Sequence, residues 1–153
     1  MYKHILIATD GSELAEKGLE QGLQLAYQLG GKPACKVTVL TVTEPFPMMA
    51  TASSAGWIAS PKDIEIYNDN QQRLAQDVLK NAGEKAAETG VSVELKHIAD
   101  RWPAEAIIEY SQNSDVDLIV MTSHGRRGIG RLLLGSQTSE VLAHTKTAIL
   151  IVR

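Results

Sequence analysis

Asp117-Leu118-Ile119-Val120-Met121-Thr122 runs directly into Ser123-His124-Gly125-Arg126-Arg127-Gly128-Ile129-Gly130-Arg131-Leu132-Leu133-Leu134-Gly135-Ser136. The first six residues form a nearly continuous apolar run of strand length, the pattern of a central parallel strand covered on both faces. The segment behind them is basic and glycine-rich, and a helical pattern follows from Ser136 to about His144. Strand, glycine-rich turn and helix in that order point to an α/β sheet whose strands are joined through helices.

The same alternation extends outward in both directions. His4 to Thr9 reads as a strand, Asp10-Gly11-Ser12 as turn and cap, and Leu14, Leu19, Leu23, Leu25, Ala26 and Leu29 as the apolar stripe of a helix that stops at Gly30-Gly31. Lys36 to Thr43 is a second strand, and Glu44-Pro45-Phe46-Pro47 cannot continue a ladder. Met48 to Ser60 reads as a mobile loop. A long helix is expected from Ser60-Pro61 to about Thr89, with Ile64, Tyr67, Leu74, Val78 and Leu79 as buried candidates and Gly90 as its end. Val91 to Ile98 alternates as a third strand, Trp102-Pro103-Ala104-Glu105 opens a third helix closed by Asn113 and Ser114, and Thr147 to Val152 is the last strand. Five strands and four helices joined by right-handed crossovers predict one domain over residues 1–153: an α/β fold with an open five-stranded parallel sheet, helices on both faces, Rossmann-like. Ligands of such sheets sit beyond the carboxyl ends of the strands, so the loops after strands one, two and four are the places to look.

Bulk properties narrow the function. The 153 residues suffice for one substantial core, and 44% hydrophobic with 22% charged residues is globular composition. A formal charge of −3 gives no cationic field for nucleic acid or a membrane surface. No apolar run approaches the roughly 20 residues needed to span a bilayer. The single cysteine, Cys35, permits no internal disulfide and reads as a small residue near a strand start. Met1-Tyr2-Lys3-His4 leads straight into a strand without a signal-peptide core, so a cytoplasmic location is expected.

Anion-binding chemistry concentrates after strand four, where no Asp or Glu occurs between Asp117 and Glu140. Gly125 and Gly135 allow close main-chain approach, while free amides at the helix start and the Ser136 hydroxyl suit phosphate oxygens. The spacing is not the Walker pattern, because no Gly-Lys-Ser/Thr ends it, and it is not a dinucleotide fingerprint.

At these residues the sequence resembles the universal stress protein family, along the whole chain. The resemblance rests on Lys3-His4-Ile5-Leu6-Ile7-Ala8-Thr9-Asp10-Gly11-Ser12, Pro103-Ala104-Glu105-Ala106-Ile107, the Asp117 to Met121 strand and the Gly125 to Ser136 segment. The family's nucleotide motif is Gly, two residues, Gly, nine residues, Gly, then Ser or Thr; Gly125, Gly135 and Ser136 match its last three positions, and Thr122 replaces the first. The resemblance implies the adenine nucleotide alpha hydrolase type of fold and a site for ATP or AMP. In it Asp10 faces the ribose or a bound Mg²⁺, Ala8 lies beside the base, Thr9 belongs to the same nucleotide-binding site, and Val42 packs on adenine and offers it main-chain hydrogen bonds. Met121, Thr122, Ser123, His124 and Gly125 line the ribose and phosphate floor. Arg127 and Gly128 belong to the same segment, and Gly135, Ser136 and Gln137 cap the phosphates. Gln137 stands where the family often has a small apolar residue, and the Cβ of Thr122 implies weaker binding or a shifted ligand.

Other roles remain for the same residues. Arg126, Arg127 and Arg131 are either anion contacts or solvated surface, and Asp10 is either a ligand or the cap of the first helix. His124 has no nucleophile–base spacing, His4, His97 and His144 have no metal spacing, and Trp102 reads as a packing residue. The expectation is a cytoplasmic stress-response protein that binds an adenine nucleotide and is no efficient enzyme, at most hydrolysing ATP slowly. By resemblance it forms a homodimer through the apolar edge Thr147 to Val152. The alternative is a nucleotide-free dimeric interaction module of the same family.

Overall fold

The computed structural model describes residues 2–30, 35–48, 56, 58–125 and 134–153. Among these residues strands and helices alternate as β1 (His4–Ala8), α1 (Glu13–Gln28), β2 (Lys36–Val42), α2 (Pro61–Thr89), β3 (Glu94–Ile98), α3 (Pro103–Asn113), β4 (Leu118–Thr122), α4 (Ser136–His144) and β5 (Ala148–Val152). The sheet has the order β3-β2-β1-β4-β5 and every pairing is parallel. The fold is the single-domain, Rossmann-like α/β architecture expected from the alternation.

The two faces of the sheet carry two cores. Ile5, Ile7, Val37, Val39, Leu118 and Val120 pack under Leu19, Leu23 and Ala26 of α1 and Ala82 and Ala86 of α2. Their neighbours in sequence, Leu6, Leu40, Ile119 and Met121, turn to the opposite face and meet Ala104 and Ile107 of α3 and Val141 of α4. Period-two alternation thus makes both faces apolar, which is why β4 reads as an unbroken hydrophobic run.

Helix contacts differ from the simple apolar stripe. Gly18 and Gly22 of α1 are buried beside Ala15, Leu19, Leu23 and Ala26, whereas Leu14, Leu25 and Leu29 are only half-buried. A Cβ on Gly22 would lie 2.7 Å from Ile7 Cδ1, so the missing side chain is what lets α1 lie close on β1. Along α2 the buried residues are Ala75, Ala82 and Ala86, while Leu74, expected in the core, is 36% exposed. Ser60 and Asp63 form a capping box at the start of α2, and Gly90 ends it in the left-handed region at φ 73°. The Val91 amide donates to the Ala86 carbonyl at 3.0 Å, so Val91 belongs to that cap, and β3 starts three residues later than its alternation implies.

The amino ends of the strands are stapled. Asp117 accepts the amides of Lys3 and His4 at 2.7 and 2.9 Å, and these bonds hold its carboxyl below the usual carboxylate range. His4 is buried with its imidazole between the Ser114 carbonyl at 2.8 Å and Thr38 Oγ1 at 2.9 Å, a structural role at the end opposite the strand-four loop. No helix among the described residues is long and apolar enough to cross a membrane.

Candidate functional site

From β1 the chain steps to β2 and β3 on one side, then crosses to β4 and β5 on the other. At this switch point the connections leave in opposite directions and a crevice opens beyond the carboxyl ends of the strands. It forms a cleft of about 390 Å³. Ala8, Thr9 and Asp10 border it from β1, Val42 from β2, and Met121, Thr122, His124 and Gly125 from β4. Gly135, Ser136 and Gln137 close it at the start of α4. Ser123 lies beneath this wall and is buried. Arg127 and Gly128, also expected at the site, fall outside the described residues, as do Arg126, Arg131 and most of the Met48 to Ser60 loop.

The β2 wall offers main-chain groups. The Leu40 carbonyl accepts the Thr9 amide at 3.0 Å, after which β1 has left the sheet. The amide and carbonyl of one residue point to the same side of a parallel strand. Val42, two residues on, therefore aims both at the space vacated by β1. Thr43 faces the other way: its amide donates to the Ile98 carbonyl at 3.0 Å and its carbonyl accepts the Arg101 amide at 3.2 Å. Behind it His97 Nε2 sits 2.8 Å from Thr43 Oγ1, and burial pushes the His97 imidazole below its ordinary pKa.

A further wall comes from α2 through Tyr67, Gln71, Leu74, Ala75 and Val78. The Tyr67 hydroxyl donates to the Glu44 and Pro45 carbonyls at 3.2 and 3.3 Å, and Phe46 meets the Tyr67 ring edge-on at 5.3 Å. Sequence reasoning read Tyr67, Leu74 and Val78 as core candidates and left them out of the site. No local motif marks them, since only the packing of α2 over β2 brings them to the crevice.

At the opposite end Gly135 is the N-cap of α4, with no side-chain capping bond. The amides of Ser136, Gln137 and Thr138 consequently lack intrahelical acceptors. The Gly135 amide, expected to be free for an anion, instead donates to the Ser123 carbonyl at 2.7 Å. A Cβ on Gly135 would stand 3.2 Å from that carbonyl oxygen and 3.4 Å from His124 Cα, so glycine permits this close approach. Thr138 Oγ1 donates to the Thr122 carbonyl at 2.8 Å and ties α4 to β4. Gln137 Oε1 accepts the Ala104 amide at 2.9 Å. It caps α3, whose own N-cap residue, Trp102, makes no side-chain bond.

Asp10 sits where the β1 and β4 loops meet. Its Oδ1 accepts the Ser12 amide at 2.9 Å, and Ser12, not Asp10, caps α1 by accepting the Ala15 amide at 3.2 Å. A Cβ on Gly125 would lie 2.7 Å from Asp10 Oδ2, which puts the carboxylate directly against the glycine. The Thr122 hydroxyl donates to the His124 carbonyl at 2.7 Å, and Ser123 Oγ lies 2.7 Å from His124 Nδ1. Among the described residues no group of three or more His, Cys, Asp or Glu side chains is placed to hold a metal ion.

A doubly wound parallel sheet with its ligand crevice at the switch point defines a Rossmann-like α/β domain. The chain belongs to the universal stress protein family, whose sequence profile matches residues 1–153. Universal stress protein YxiE of Bacillus subtilis is 32% identical over 154 residues, covering 100% of each chain. The solved structure of MJ0577 from Methanocaldococcus jannaschii is 26% identical with a TM-score of 0.77, covering 99% of this chain and 96% of that one. A universal stress protein solved in complex with cAMP shares the fold at a TM-score of 0.71 and 22% identity, over 99% of this chain and 97% of the other.

Proposed function

We propose that this protein binds an adenine nucleotide in the switch-point cleft and serves the stress response through occupancy of that site, in the cytoplasm, without efficient catalysis. The observation that carries the reading is a cleft with two complementary ends: the Val42 amide and carbonyl at one, and at the other the first amides of α4, Ser136 to Thr138, which have no intrahelical acceptor. Adenine presents an acceptor, N1, beside a donor, the N6 amino group. One residue's N–H and C=O match that pair, and guanine, with N1–H beside O6, reverses it. The start of α4 supports phosphate at the other end of the cleft, because amide hydrogens and the positive end of a helix dipole favour anionic oxygens. The Asp10 carboxylate, which borders the cleft against Gly125, supports a contact to a ribose hydroxyl in this reading. Mg²⁺ is commonly held by one or two carboxylates together with substrate phosphates, so Asp10 fits the ion only alongside a polyphosphate such as ATP. The cyclic AMP complex of a protein with the same fold supports the choice of ligand class.

The Ser123–His124 contact gives no support to covalent catalysis, because its serine is buried. Equilibrium titration with ATP, AMP and GMP tests the proposal: the adenine ligands bind and GMP does not. Folded protein that takes up no adenine nucleotide at millimolar concentration overturns it. In that case the second reading, a nucleotide-free dimeric module, stands on the sheet edge at β5, where Leu150 is 38% and the adjacent-helix residue Leu142 49% exposed.

A further inference from the structure

Thr122 occupies the position of the motif's first glycine, yet its side chain is built into the fold. Strand alternation sends Met121 to the α3 and α4 face and Thr122 to the α1 face. There its methyl fits over Gly18, on which a Cβ would lie only 2.7 Å from Thr122 Cγ2. The Thr122 hydroxyl donates to the His124 carbonyl at 2.7 Å. A trans peptide directs its C=O and N–H oppositely. Drawing the His124 carbonyl back toward the end of β4 therefore turns the Gly125 amide outward, beyond the carboxyl end of the sheet, where Gly125 borders the cleft.

The rest of this turn is already pinned. The Thr122 carbonyl accepts Thr138 Oγ1, the Ser123 amide donates to the Val152 carbonyl at 2.9 Å, and the Ser123 carbonyl accepts the Gly135 amide. The 124–125 peptide plane is the next link, and the Thr122 hydroxyl holds it. Glycine at 122 has no group to do so. We propose that Thr122 is a positioning residue that fixes the Ser123–Gly125 turn in its ligand-receiving form, with Gly18 providing the room for its methyl. The ligand half of this inference rests on the nucleotide reading; the ordering of the turn does not.

Three variants separate the hydroxyl from the methyl: Thr122→Ser keeps the hydroxyl, Thr122→Val keeps the shape, and Thr122→Gly restores the motif residue. Two quantities are measured, the relaxation and exchange of the Ser123 to Gly125 amides in the free protein, and AMP affinity. Thr122→Ser should leave the turn ordered and affinity within about twofold, whereas Thr122→Val and Thr122→Gly should loosen the Gly125 amide, with Ser123 still held by Val152, and weaken AMP about five- to tenfold, as loss of one hydrogen bond implies. Thr122→Gly protein that binds AMP as tightly as the parent, or tighter, contradicts the proposal, and so does a Gly125 amide that stays as ordered in Thr122→Val as in the parent. If the parent itself binds no AMP, the nucleotide reading fails, while the amide comparison still decides whether Thr122 holds the turn.

Discussion

Gly125 and Gly135 serve the cleft in different ways. Gly135 lets two stretches of backbone approach, with Ser123 O only 3.2 Å from where a Cβ would stand, whereas Gly125 leaves room for the Asp10 carboxylate. Gly125→Ala should move Asp10 Oδ2 aside, a shift the end of a side chain can make. The expected result is a stability loss below about 1 kcal/mol with AMP affinity lowered about tenfold, measured by thermal unfolding and titration. Asp117 gives a pH-dependent test. The Lys3 and His4 amides depress its folded pKa, so its contribution is present above the ordinary carboxylate value and is lost as pH falls through the folded one. Unfolding curves of Asp117→Asn and the parent should differ at neutral pH and converge on acidification. At this scale the glycines were legible, because their type and spacing announce close approach. The roles of Thr122 and Gln137 were not, since Gln137 finds its partner at Ala104, 33 positions away in sequence.

Among the elements, β4 and α4 were legible for different reasons. β4 announces itself through burial on both faces, and α4 through the Gly135-Ser136 start that its fold uses as a cap. Helices α1 and α2 were less transparent. Their buried faces include Gly18 and Gly22 in α1 and Ala75, Ala82 and Ala86 in α2, which a search for large apolar residues passes over. The α2 wall of the cleft was hidden for another reason: Tyr67, Leu74 and Val78 read as core residues, and only the packing of α2 over β2 turns them to the crevice. Gln137 joins two elements, because its oxygen satisfies an amide at the start of α3 while its own backbone opens α4. Gln137→Leu removes that cap and should cost roughly 1 kcal/mol, read as a lower melting temperature with faster amide exchange in the first turn of α3. Unchanged exchange at Ala104 would show that the cap is dispensable.

For the whole molecule, the alternation of strands and helices was enough to specify a parallel sheet, and the order β3-β2-β1-β4-β5 then fixes where the crevice opens. The sequence also showed an apolar final strand, and β5 lies at a sheet edge with Leu150 partly exposed. Pairing of that edge with a second copy is our expectation: light scattering should give twice the 16.6 kDa chain mass, and Leu150→Lys should shift the population toward monomer. A parent protein that is monomeric at working concentration refutes it. The central claim concerns the cleft, and a map of backbone amide shifts during AMP titration tests it most directly. Val42 at one end and Ser136, Gln137 and Thr138 at the other should move together along one saturation curve, with GMP producing no matching change. Shifts that spare either end, or a GMP response equal to that of AMP, would contradict it.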